Sequence, residues 1–239
     1  DLFVNIKGEP APHMFAWTFG DCTNLSGSID RNLFSGISGS AAEGMFFGTF
    51  YNCSNLTGGI DQDLFKNIVG APQPYMFAQT FFGCEQLSGR LPGNLFKGIN
   101  GTPAEAMYVG TFAFCSSLDG NIPETLFGTI DGAAAPNMYY GVFMDDRNLD
   151  GEIPAGLFGN ISGKPQYDSF GDAFSGCSSL TGSVPIDMFK NMDNTSYVSG
   201  PMYGMFNDTG LVTQCPENMY QYKTGFEVDW SGRVACTPC

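Results

Sequence analysis

The apolar residues of this chain recur in a fixed register. The pair Leu-Phe and its two variants return at a spacing of 31 residues, at positions 2–3, 33–34, 64–65, 95–96, 126–127, 157–158, 188–189 and 219–220. A column of leucines from Leu25 to Leu211 and a column of phenylalanines from Phe19 to Phe174 keep the same step. A period between 20 and 50 residues is typical of stacked supersecondary units that bury their apolar faces against one another. The register therefore predicts one elongated stack of repeats.

Within a unit, the hydrophobic period changes along the chain. In residues 45–53 the apolar positions fall at steps of three and four, which indicates about two helical turns. Residues 56–60 alternate around Gly58 and predict a short strand. Asp61, which is replaced by Pro in later units, is a good first residue for a second short helix over 61–68. We therefore expect an α/β solenoid in which short parallel strands stack beside helices.

Two motifs resemble leucine-rich repeats. The segment 174–185, FSGCSSLTGSVP, resembles the F-x-G-C-x-x-L-x-x-I-x-I-P core of BspA-like bacterial surface repeats. The segments 118–123 and 149–154 resemble the L-x-G-x-I-P motif of extracellular plant-type repeats. The resemblance extends through Gly225. It implies a leucine-rich-repeat-like fold, display outside the cell or on its surface, and binding of proteins or host surfaces without a catalytic residue.

The C-terminal end departs from the register. After a solenoid of residues 1–225, residues 226–239 are expected to form a hairpin that turns at Ser231-Gly232 and caps the last unit. Cys215, Cys236 and Cys239 are candidates for a disulfide in this cap, from Cys215 to one of the other two. A redox pair formed by Cys236 and Cys239 is the alternative, although no βαβ context accompanies it.

Five further cysteines occupy one position of the repeat. They are Cys22, Cys53, Cys84, Cys115 and Cys177. We interpret them as small buried thiols that cap the first helix of each unit, because free cysteine is among the most buried residue types. Disulfides along the stack are the alternative, but equivalent side chains point the same way and suit disulfide geometry poorly. Asp146 and Asp208 replace cysteine in two units.

The net charge and the residue types of the chain argue against several classes of function. The formal net charge is −14 with only 10 Lys and Arg, which argues against binding nucleic acid or anionic lipid. No apolar run is long enough to span a membrane. His13 is the only histidine, so neither a catalytic triad nor a metal ladder is expected, and no cofactor either.

An acidic cluster of Asp145, Asp146, Asp150 and Glu152 interrupts the repeat pattern. A calcium site is conceivable there because carboxylates are its ligands, but no calcium-loop spacing is present. We therefore expect a solvated acidic patch.

The leading hypothesis is a non-catalytic extracellular or cell-surface module that binds a protein or a cell-surface ligand. Its candidate contact residues flank the strand glycine and vary from unit to unit: Ser28, Arg90, Asp119, Asn121, Asp150, Glu152 and Ser183. Candidate N-glycosylation sequons stand at Asn24, Asn52, Asn55, Asn100, Asn160, Asn194 and Asn207. The alternative is a structural subunit that binds itself end to end, because an uncapped stack exposes apolar surface and strand edges.

Overall fold

A computed structural model describes residues 2–3, 5–158, 160–185, 188–192, 202–211, 219–221 and 236–238 of the chain. Its regular elements are ten short strands: β1 Gly39–Ser40, β2 Ile68–Val69, β3 Gly89–Arg90, β4 Asn100–Gly101, β5 Leu118–Asp119, β6 Thr129–Ile130, β7 Gly132–Ala133, β8 Ile161–Ser162, β9 Met219–Gln221 and β10 Cys236–Pro238.

The predicted fold class is wrong. The described residues contain no α-helix, so the chain is not an α/β solenoid of strands beside helices. The strands pair two by two, as β1 with β2, β3 with β5, β4 with β6 and β7 with β8, all parallel. They do not form the continuous sheet that a leucine-rich-repeat-like solenoid requires. The 31-residue register is nevertheless visible, because every one of these pairs joins neighbouring units.

The first predicted helix is replaced by a run of four-residue turns. In each unit between residues 11 and 177 three residues, spaced four apart, have a positive φ angle, as Gly44, Gly48 and Asn52 do at 54°, 58° and 53°. A left-handed residue at every fourth position cannot occur inside a right-handed helix. The steps of three and four in the apolar pattern therefore arose from the period of these turns.

Hydrogen bonds between units explain why turns replace the helix. Alternate N–H groups donate within the unit, as Ala16 does to His13 at 3.1 Å, while the others donate to the next unit. Phe15 donates to the carbonyl of Met45 at 2.8 Å, and Trp17 donates to that of Phe47 at 2.8 Å. An α-helix would use all of these groups internally. The turn segment, defined as residues 11–22 and their equivalents 42–53, 73–84, 104–115, 135–146 and 166–177, is thus tied to its neighbours along its whole length.

The second predicted helix is also a set of turns. Within 61–68, Leu64 donates to the carbonyl of Asp61 and Ile68 to that of Phe65, each bond spanning three residues. The Asp61 carboxylate accepts the N–H of Asp63 at 2.8 Å, which is the local bonding that makes Asp a turn-forming residue. The expected role of this Asp at the start of the element holds, but no helix follows.

The predicted strand lies where the alternation placed it. In this segment each left-handed glycine bridges the leucine of the next unit, as Gly58 bridges Leu87 and Gly120 bridges Leu149. A second row of bridges, which includes Gly70 with Ile99, lies in the segment that the sequence indicated as a returning loop. Two rows of parallel contacts therefore join each unit to the next.

The interior consists of three aromatic columns. Successive rings of the column from Phe15 to Phe170 lie 5.4–5.8 Å apart. The column from Phe19 to Phe206 has spacings of 5.3–5.8 Å. The third, from Phe3 to Phe189, contains the phenylalanine of the Leu-Phe pairs and has spacings of 5.9–6.5 Å. Because offset-stacked and tilted rings are favourable arrangements, the columns stabilise the stack beyond the burial of area.

Near the C-terminus, β9 and β10 form an antiparallel pair in which Gln221 lies opposite Cys236. The expected turn at Ser231-Gly232 lies outside the described residues, as do Cys215 and Cys239. The disulfide assigned to the cap therefore remains a prediction.

Candidate binding surfaces

The predicted contact residues lie together on the surface. Ser28, Arg90, Asn121, Glu152 and Ser183 occupy one column beside the strand glycines, and all but the half-buried Ser183 are exposed. Asp119 and Asp150, both exposed, form a second column on the other side of the same glycines. We call these two columns the strand strip.

The strand glycines let these side chains cross from one unit to the next. A Cβ added to Gly58 would lie 3.3 Å from the Cβ of Ser28, and one added to Gly120 would lie 2.9 Å from the Cγ of Arg90. One added to Gly182 would lie 2.6 Å from the Cγ of Glu152. Each side chain of the column therefore lies over the glycine of the following unit, and the column is interrupted at Gly59, which leaves Gly89 uncovered.

The charges of the strip are open to solvent. The ion pairs of the described chain join Arg31 to Asp61 and Asp63, Lys66 to Asp63, and Arg147 to Asp145, so none of them involves the strip. Arg90, Asp119, Asp150 and Glu152 are consequently available to an external partner.

The cysteine column consists of free thiols. Four of its five members are buried, as predicted, whereas Cys22 is exposed in the first unit. The buried thiols donate to a carbonyl of the preceding unit, as Cys84 does to Phe50 at 3.0 Å. Burial raises the pKa of Cys53 to about 11, and it also raises the pKa of Cys84. These thiols are structural donors and not nucleophiles, because the thiolate is the reactive form.

The predicted solvated acidic patch is wrong for Asp146. This residue takes the cysteine position of its unit and is completely buried. Its Oδ1 accepts the N–H of Cys115 at 2.7 Å, and its Oδ2 makes no hydrogen bond. Burial raises the pKa of Asp146 well above its usual range. The stack buries this position from Cys53 to Cys177, whether it carries cysteine or aspartate, and leaves it exposed at Cys22 and at Asp208.

The rest of the acidic cluster is divided between two places. Asp145 is partly exposed and pairs with Arg147 at 3.0 Å, while Asp150 and Glu152 belong to the strand strip. Among the described residues no group of three or more His, Cys, Asp or Glu is placed to hold a metal ion.

The sequons differ in accessibility. Asn24, Asn55, Asn100 and Asn160 are exposed, Asn52 and Asn207 are half-buried, and Asn194 lies outside the described residues. Asn52 has a left-handed backbone and donates its side-chain N–H to Asp21 at 3.0 Å. A glycan on Asn52 would leave a single side-chain N–H for this bond.

A surface of aromatic residues was missed by the sequence reasoning. It consists of Trp17, Phe47, Tyr51, Tyr75, Phe82 and Phe114, and we call it the aromatic face. Its rings contact one another in series, with centroids 4.9 Å apart for Trp17 and Tyr51, 4.8 Å for Tyr51 and Phe82, and 5.1 Å for Phe82 and Phe114. The register did not reveal this surface, because apart from Tyr51 and Phe82 the six residues do not follow one another at the 31-residue period.

One signal in the sequence could have revealed the aromatic face. The turn segments contain no Lys or Arg, although the chain has 10 of them. A solvated face normally carries both signs of charge. The absence of cations from a repeated surface segment that is rich in aromatic residues indicates a special use.

No helix of the described chain has the length and apolar character needed to cross a bilayer. Protein-family models, curated proteins and solved structures were each compared with the chain, and none of the three comparisons finds a match.

Proposed function

We propose that this chain is a non-catalytic repeat module, displayed outside the cell or on its surface, that binds a protein or cell-surface ligand through the strand strip. The packing of strip side chains over the strand glycines, from Arg90 to Gly182 without a break, is the observation that carries the proposal. The interior columns are nearly constant, whereas the side chains of the strand strip differ from unit to unit. Repeat proteins use extended surfaces of this kind for recognition.

The test compares a strip variant with a charge-matched control. The variant Asp119→Ser, Asp150→Thr and Glu152→Ser introduces residue types that other units carry in the same columns. The control Glu9→Gln, Glu124→Gln and Asp131→Asn removes three exposed carboxylates elsewhere. Both are measured by biolayer interferometry against a panel of purified extracellular matrix proteins and immobilised glycans.

A ligand that binds the wild type and the control, and binds the strip variant at least about tenfold more weakly, supports the proposal. A ligand that binds all three proteins equally contradicts it, and failure of the whole panel to bind the wild type also counts against it.

Assembly end to end is a second candidate. Neighbouring turn segments are joined by backbone hydrogen bonds, in which the carbonyls from Glu43 to Tyr51 accept N–H groups of the unit before them. Bonds of this kind do not depend on particular side chains, so the same pattern would join two copies of the stack.

Sedimentation over a range of concentrations and electron microscopy test the assembly. The variant Cys22→Lys places a charge in the first turn segment, where the thiol is exposed. Filaments of the wild type that disappear in this variant support end-to-end assembly, whereas monomers at every concentration refute it.

A further inference from the structure

The aromatic face is an uncovered apolar surface that runs across consecutive units. Trp17 is 44% exposed and Tyr75 is 37% exposed, while the other four rings are partly exposed. Glycines provide room for the rings: a Cβ on Gly48 would lie 2.9 Å from the Trp17 ring. Trp17 therefore lies against the backbone of the next unit and keeps one side open to solvent.

Carboxylates border the rings. The Tyr75 hydroxyl donates to the Glu105 carboxylate at 3.1 Å. This hydrogen bond first, and then burial and the charges of Glu105 and Glu43, raise the pKa of Tyr75, so both carboxylates act on the same ring. Asp21 is exposed, its carboxylate accepts a hydrogen bond from Asn52, and its backbone N–H donates to the carbonyl of Tyr51 at 2.7 Å.

No cation of the described chain neutralises these carboxylates. Asp21, Glu43 and Glu105 take part in none of its ion pairs, and their turn segments contain neither Lys nor Arg. The face thus combines open aromatic rings with uncompensated negative charge. An aromatic ring attracts a cation through its quadrupole, and a nearby carboxylate adds a direct charge interaction.

From this charge complementarity we propose that the aromatic face binds an extended, Lys- or Arg-rich peptide segment of a partner protein. This surface is separate from the strand strip, and the proposal stands whether or not the strip binds a ligand. The basic side chains of the peptide lie over the rings from Trp17 to Phe114, and their charges approach the three carboxylates.

The spacing of the units fits such a peptide. The aromatic face crosses four successive units, from that of Trp17 to that of Phe114. The distances between neighbouring units, taken between the centroids of the buried rings from Phe15 to Tyr108, are 5.6, 5.4 and 5.7 Å. Side chains on one side of an extended peptide recur about every 6.8 Å. Long, flexible basic side chains accommodate the difference, so alternate residues of one peptide meet successive units.

The experiment measures binding of a peptide of alternating Arg and Ser by isothermal titration calorimetry. The same peptide with citrulline in place of Arg keeps the shape without the charge. The double variant Tyr51→Ser and Phe82→Ala removes two central rings and introduces residues that occur at the same position in other units. Its matched control, Tyr167→Ser and Tyr203→Ser, removes two exposed rings of later units, beyond Phe114 at the end of the aromatic face.

We expect the Arg peptide to bind the wild type and the control alike, and the double variant about tenfold more weakly. The citrulline peptide is expected to bind none of them. Equal affinity for the double variant and its control would overturn the proposal. So would a change in the sedimentation of the double variant, because it would indicate a second copy as the occupant.

A charge variant keeps the test decisive if the double variant does not fold. Asp21→Asn, Glu43→Gln and Glu105→Gln alters only exposed side chains. We expect a larger loss of affinity for the Arg peptide than in the control Glu9→Gln, Glu124→Gln and Asp131→Asn, which has the same net charge. Equal losses in the two variants would mean attraction to an acidic protein in general, and would refute a site on the aromatic face.

Discussion

The buried carboxyl of Asp146 makes the stability of this protein depend on pH in a predictable direction. Asp146 is fully buried, its Oδ1 accepts one N–H and its Oδ2 accepts none. Burial raises the pKa of this carboxyl well above its usual range, and the neighbouring Asp145 raises it further. In the unfolded chain the same group ionises near its ordinary pKa of about 3.9.

The sign of the effect follows from proton binding. Above about pH 3.9 and below the folded-state pKa of Asp146, the folded protein binds one more proton than the unfolded chain. The free energy of unfolding therefore falls by about 1.4 kcal/mol for each pH unit in this window, and it is constant again above the folded-state pKa. The stabilisation by the neutral acid is fully present only below about pH 3.9.

The substitution Asp146→Asn removes this dependence. The amide oxygen still accepts the N–H of Cys115, and no proton is exchanged with solvent. We expect the stability of the variant relative to the wild type to increase with pH by about 1.4 kcal/mol per unit from pH 4 upward, until it reaches a plateau.

Chemical denaturation at several pH values between 4 and 8 measures the difference. Asp131→Asn is the matched control, because Asp131 is exposed and is not among the charges that act on Asp146. The slope of Asp146→Asn is measured relative to that of this control. A pH-independent difference for Asp146→Asn would show that Asp146 is ionised in the folded protein, and the reasoning from burial would fail.

Three further predictions concern the backbone and the interior of the repeat stack. Gly58→Ala is expected to lower the free energy of unfolding by about 1 to 2 kcal/mol, because the φ of Gly58 is +76°. Gly59 has no positive φ, so Gly59→Ala should change the free energy of unfolding by less than about 0.5 kcal/mol. Thermal denaturation measures both. Thr80→Val removes a buried hydroxyl that donates to two carbonyls, and calorimetry should show a loss of about 1 kcal/mol; no loss would contradict this role. At pH 8 iodoacetamide should alkylate the exposed Cys22 well before the buried Cys53, because burial raises the pKa of Cys53 to about 11. Peptide mass mapping measures the two rates, and equal rates would disprove the burial of Cys53.

The difference between the predicted and the observed elements has one physical cause. The apolar steps in residues 45–53 fit a helix and a run of four-residue turns equally well, since 3.6 and four residues differ little over so short a segment. Whether a helix or turns form depends on the hydrogen-bond acceptor of each backbone N–H group. When Phe46 donates to Met76 of the next unit, at 2.8 Å, it is no longer available for a helix. Gly44 and Gly48 also enter the left-handed region easily, which lowers the cost of the turns.

The same contacts between units decided the surfaces. The strand strip could be proposed from sequence because alternation around Gly58 places flanking residues outward in any stacked strand. The aromatic face could not, because Trp17 and Tyr51, like Phe82 and Phe114, are not 31 residues apart, and their rings meet only when the turn segments stack. Asp146 has an acidic neighbour in sequence, yet it is buried since its position faces the interior of the stack.

The sequence by itself determined the 31-residue period, the identity of the stacked columns and the position of the strand glycines, because hydrophobic burial imposes a repeat that can be counted along one chain. Tertiary structure alone decided that the units consist of turns and short bridges, that Asp146 is buried, and that six aromatic residues share one face. These features depend on hydrogen bonds and ring contacts between residues about 30 positions apart, and such pairings are formed only when the units stack.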